Sequence, residues 1–128
     1  MIDHIGFPVS DYRRARDFYT KALAPLGYTL IMEVTQQQAG HAPAAGFGAD
    51  GKPDFWIGGE GGMNKSIHIA ILAGSRAAVD AFYRAALDAG GSDNGAPGIR
   101  AHYHPDYYGA FVLDPDGHNI EAVCHTPG

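Results

Sequence analysis

Three polar residues stand in stretches that otherwise read as apolar strands: His4 in IDHIGFPV (2–9), His68 in SIHIAIL (66–72) and Glu121 in NIEAVC (119–124). Side chains alternate between the faces of a strand, so His4 lies opposite Ile5, Phe7 and Val9, and His68 opposite Ile67, Ile69 and Ile71. Glu121 shares its face with Asn119 and Val123, away from Ile120, Ala122 and Cys124. A carboxylate in such a place needs a partner that offsets the cost of its desolvation. Two neutral imidazoles and one carboxylate can hold a divalent ion such as Zn, Ni, Mn or Fe and leave positions open for water or substrate, as a Lewis-acid site requires. The rival reading makes each histidine a hydrogen-bonded core or edge residue. It weakens once the two histidines fall at matching positions of an internal repeat.

A second group lies in AHYHPDYYG (101–109). From it His104 and Tyr108 are the candidate catalytic residues, able to face a substrate or move a proton near a metal. The same stretch also fits an aromatic loop packed over the site, or a dimer contact. His118, just past a tight turn, reads as solvated, and His41 and His125 fall in a loop and a tail. Cys124, the one cysteine, reads as buried filler and cannot form an internal disulfide. No GxSxG, P-loop, CxxC or HExxH pattern is present.

The elements that must position these residues follow from periodicity. A strand over 2–9 leads to a helix capped by Ser10 or Asp11, whose Ala15, Phe18, Tyr19, Ala22 and Leu23 recur at spacings of three and four. Pro25 and Gly27 end it. Strands are predicted over 28–34, 44–50 and 54–58, with a polar loop over 36–43 and a Gly-rich break over 58–64. The pattern then restarts: a strand over 66–72, a helix from Ser75 carrying Val79, Phe82, Tyr83, Ala86 and Leu87, and a terminal hairpin over 109–124 turning at DPDG (114–117).

An offset of 64 positions lays His4 on His68, Ile5 on Ile69, Phe18-Tyr19 on Phe82-Tyr83 and Phe47 on Phe111. The chain of 128 residues therefore reads as one α+β domain made of two βαβββ modules, about 1–60 and 65–126, produced by internal duplication and forming a metal-binding trough. In that register the residue matching Glu121 is Ile57, so the first module offers no second carboxylate. The formal charge of −5 with scattered basic residues argues against a nucleic-acid partner. The lack of a long apolar run or leader argues against a membrane, and a cytoplasmic location is expected.

On IDHIGFPVSDYRRARDFYTKAL, SIHIAI and FVLDPDGHNIEAV the chain resembles the vicinal oxygen chelate superfamily, which includes glyoxalase I, bleomycin resistance proteins, fosfomycin resistance enzymes and extradiol dioxygenases. The last of these stretches closely resembles small glyoxalase-like members. The resemblance implies paired βαβββ modules, a divalent metal at His4, His68 and Glu121, a small-molecule substrate with vicinal oxygens, and a homodimer in which His4 can come from one subunit and the other two ligands from its neighbour. Lyase, isomerase and dioxygenase reactions all fit. A glyoxalase I assignment is weakened by Ile57 and by the lack of a recognisable basic pattern for glutathione. A metal-free ligand-sequestering protein of the bleomycin-resistance kind is the alternative.

Overall fold

The computed structural model describes residues 3–35, 43–60 and 67–127. Its elements are β1 (Ile5–Val9), α1 (Tyr12–Ala22), a 3-10 turn (Ala24–Leu26), β2 (Thr29–Val34), β3 (Ala44–Ala49), β4 (Lys52–Glu60), β5 (His68–Leu72), α2 (Arg76–Asp88), β6 (Ser92–Ile99), β7 (Tyr108–Leu113) and β8 (Asn119–Cys124). Most of the loop expected over 36–43, with His41, and most of the break over 58–64 lie outside the described residues.

Each half forms a four-stranded mixed sheet, β1-β4-β3-β2 and β5-β8-β7-β6. The first strand of each half lies parallel to the last, and the other pairs are antiparallel. This is the α+β architecture of two βαβββ modules. The caps act as the sequence predicts: the Asp11 carboxylate accepts from Arg14 N, and the Ser75 hydroxyl from Ala78 N. Helix α1 buries Ala15, Phe18, Tyr19 and Ala22, and α2 buries Val79, Phe82 and Ala86, against each other and against their sheets. The other face of each sheet is left for a site.

The repeat does not hold one register throughout. Phe55 pairs with Ile5 and Phe47, whereas Ile120 pairs with Ile69 and Val112. One step on, Trp56 pairs with Gly6 and Gly46, and Glu121 with Ala70 and Phe111. The counterpart of Glu121 is therefore Trp56 and not Ile57, which is fully buried on the helix-packed face. An extra residue between the helix and the third strand of the second module shifts the offset from 64 to 65, and one residue is enough to exchange the two faces of a strand. Gly6 and Gly46 flank Trp56 and make room for its ring, since a Cβ at Gly46 would stand 2.8 Å from that indole.

Candidate functional site

On the open face of the second sheet, Glu121 is 1 % exposed. Two groups meet its carboxylate. His68 Nε2 lies 2.9 Å from Oε1, and the Tyr107 hydroxyl donates to Oε2. The His68 side chain keeps 53 % of its surface exposed, so the pair opens to solvent through the imidazole. Gly109 lets Tyr107 reach in, because a Cβ there would stand 3.1 Å from the Tyr107 ring and 3.4 Å from Oε2. Burial, reinforced by the Glu121 carboxylate, pushes the Tyr107 hydroxyl up to about 12. Tyr107 thus keeps its proton at neutral pH and holds it against the carboxylate.

His4 lies just before β1. Its Nδ1 meets Asp3 Oδ2 at 2.8 Å, and Lys52 Nζ lies 2.9 Å from Asp3 Oδ1. These contacts, that of His4 foremost, hold the Asp3 carboxyl below its usual range. With Nδ1 engaged, Nε2 of His4 is the nitrogen left for a ligand. His4 and His68 line one cleft of about 480 Å³ together with Asp3, Tyr28, Asp54 and residues of β5. Within the chain, His4, His68 and Glu121 do not bring their ligand atoms within 4.8 Å of one another. Asp114, Asp116 and His118 do, as the one such group of three among the described residues.

That acidic turn offers a possible metal site, and its groups are also the staple between modules. Asp114 Oδ1 accepts from the backbone N–H of Asp116 and His118, each at 2.8 Å, and Oδ2 from the Tyr19 hydroxyl at 2.6 Å. Asp116 accepts from the Ser10 N–H at 3.1 Å and from the Ser10 hydroxyl. His118, expected to be solvated, is fully buried: Nδ1 accepts from Ile67 N at 3.0 Å, its ring meets Phe7 edge-on at 4.8 Å, and Nε2 has no partner among the described residues. The local turn chemistry is visible in DPDG, but its insertion into the other module is not.

Tyr108, the other candidate for proton transfer, points to the helix side. Its hydroxyl donates to Asp80 at 2.6 Å and its ring lies under Arg76, so it is on the sheet face opposite Glu121. His104 accepts from Asp106 N and lies against His125 on the exposed loop. Tyr107, the neighbour of the predicted Tyr108, is the tyrosine at the carboxylate.

An alkaline titration tests these environments. The Tyr28 hydroxyl is likewise pushed up to about 12, by burial first and then by Asp54. A phenol whose pKa is raised on folding contributes stability that is complete below its unfolded value near 10 and lost as pH rises through the folded value. The melting temperature should therefore fall between pH 10 and pH 12, and absorbance at 295 nm should show Tyr28 and Tyr107 ionising late. Tyr107→Phe should remove one late-titrating phenol and flatten part of that fall.

The chain matches the family model described as the Glyoxalase/Bleomycin resistance protein/Dioxygenase superfamily over residues 1–122. Among solved structures it is similar to a glyoxalase/bleomycin resistance protein from Albidiferax ferrireducens T118, at 24% identity and TM-score 0.76, covering 97% of this chain and 98% of that one. It is also similar to a glyoxylase/bleomycin resistance protein/dioxygenase domain from Frankia sp. EAN1pec, at 14% identity and TM-score 0.72, with 98% of both chains covered. Glyoxalase I from Zea mays matches at 20% identity and TM-score 0.72; 99% of this chain is covered, against 45% of that one. No curated protein matches. These likenesses show the fold, and no described helix is long and apolar enough to cross a membrane.

Proposed function

This chain belongs to the glyoxalase/bleomycin resistance protein/dioxygenase superfamily, and from that premise we propose that it is a small divalent-metal-dependent enzyme acting on a substrate with neighbouring oxygens. The observation that carries this reading is the buried Glu121 carboxylate with an imidazole at 2.9 Å on its open side. The donor chemistry fits: two ligands of one Zn-sized ion, each bound at about 2.0–2.2 Å, stand roughly 3–3.4 Å apart. His68 and Glu121 would hold the ion, with His4 as the third ligand. Such an ion supplies Lewis-acid polarisation of substrate oxygens.

The chain's own groups divide the remaining work. Glu121 carries the charge, and Tyr107 fixes one of its oxygens and holds a proton beside the reacting face. Asp3 orients His4. Proton transfer is assigned to Tyr107 before His104 or Tyr108, because only its hydroxyl touches Glu121. Whether the reaction is of the lyase, isomerase or dioxygenase type depends on the substrate. Trp56, standing where a second carboxylate would be, favours a second reading: a metal-free protein that stacks an aromatic ligand on the first sheet. Metal titration followed by calorimetry and melting separates the two. One equivalent of Zn, Ni, Mn or Fe bound per chain with a raised melting temperature supports the enzyme, and no binding by any of the four removes it.

The separation of His4 from the other two ligands within one chain gives a further prediction, in which the site is completed across a homodimer. His4→Ala and Glu121→Ala variants should each fail to bind metal tightly. Mixed and refolded together, they should regain roughly a quarter of the wild-type sites, since half the dimers would be mixed and each would hold one intact site. A site within one chain would regain none.

A further inference from the structure

Arg100 follows β6 and folds back over it. Nη1 donates to the Gly98 carbonyl at 2.9 Å and Nη2 to the Ala96 carbonyl at 2.8 Å, while the guanidinium carbon lies 5.4 Å from the centre of the Phe111 ring. Glycines make this possible: a Cβ at Gly95 would stand 3.1 Å from Nη2, and one at Gly98 3.2 Å from Nη1. Phe111 pairs with Glu121 across β7 and β8, and its ring centre is 6.2 Å from that of His68. The guanidinium, the imidazole and the buried carboxylate are thus arranged around one aromatic ring on one face of the second sheet.

Among the described residues the charge of Arg100 is not matched. Its polar contacts are two neutral carbonyls, and no carboxylate pairs with it among the described residues. A guanidinium has five N–H donors in a planar fork, so three remain free, enough for a carboxylate held by two parallel bonds. A cation held over an apolar ring, without a counter-ion among the described residues, favours an anion arriving with the ligand. We infer that Arg100 is the counter-ion for a carboxylate of the substrate, so that the substrate class is a small carboxylic acid that also carries neighbouring oxygens. This rests on the reading above only in taking the face around His68 and Glu121 as the binding face.

The test is calorimetric titration of benzoate, malonate and 3,4-dihydroxybenzoate, each against its amide, into the wild type, Arg100→Gln and Arg100→Lys, with circular dichroism to check folding. At least one acid should bind the wild type about tenfold more tightly than its amide, and Arg100→Gln should cut that preference to about twofold or less. Arg100→Lys keeps the charge but loses the fork, so its preference should lie between the two. Wild type that prefers no acid over its amide would overturn the assignment, as would a preference that survives in Arg100→Gln or, if that variant does not fold, one undiminished in Arg100→Lys. Zn titration of the same wild-type protein keeps the two readings apart. An acid preference lost in Arg100→Gln without any Zn binding would remove the metal and leave Arg100 in its role, and Zn binding without an acid preference would do the reverse.

Discussion

Asp114→Ala is expected to destabilise the chain by roughly 3–4 kcal/mol, and Asp114→Asn by about half as much. Asp114 Oδ1 takes two backbone N–H groups of its own turn, and Oδ2 takes the hydroxyl of Tyr19, which is wholly buried in the first module. Bonds to a charged acceptor contribute more than neutral ones, and alanine would leave the Tyr19 hydroxyl buried without a partner. Burial, with the Asp114 charge second, already holds the Tyr19 phenol well above its ordinary pKa, so ionising it is no escape. Asparagine keeps one carbonyl oxygen for the turn, and its amide can donate to the tyrosine oxygen. For a domain of this size the alanine variant should lose about 10–15 °C of melting temperature. A loss equal to that of Asp114→Asn would show that the staple between modules contributes little.

Glu121→Gln should lower Zn affinity by more than about a hundredfold while leaving the circular dichroism spectrum unchanged. The amide has the shape of the carboxylate and can still accept from Tyr107 and donate to His68, so the buried position stays satisfied. It has lost the anionic oxygen that a hard or borderline cation requires. His68→Ala should match it closely, since the two side chains would hold the same ion. Calorimetric titration of Zn into both variants is the measurement. Wild-type affinity in either would move the metal elsewhere, and the acidic turn at Asp114, Asp116 and His118 would be the place to look.

Within a single element, parity and periodicity were enough. Alternation in 66–72 and 119–124 put His68 and Glu121 on one face of their sheet, and the helical stripes through Phe18 and Phe82 identified the residues buried between helices and sheets. Tyr107 and Tyr108 show where parity fails. Neighbours in a strand point to opposite faces, so which of them meets Glu121 depends on where the chain enters β7 from the loop. Arg100 gave no signal beyond the glycines two and five residues before it, because its contact with Phe111 joins two strands.

The amino-acid order alone determined the duplicated βαβββ plan, the superfamily resemblance and the strand faces that carry His68 and Glu121, because each depends on local pattern and on self-similarity along the chain. The tertiary structure alone decided that Trp56 takes the seat opposite to that of Glu121, that His118 is buried between modules, and that His4 stands apart from the other two predicted ligands. Those facts depend on pairing register and on how the modules dock. A shift of one residue there exchanges the two faces of a strand while leaving its composition and periodicity unchanged.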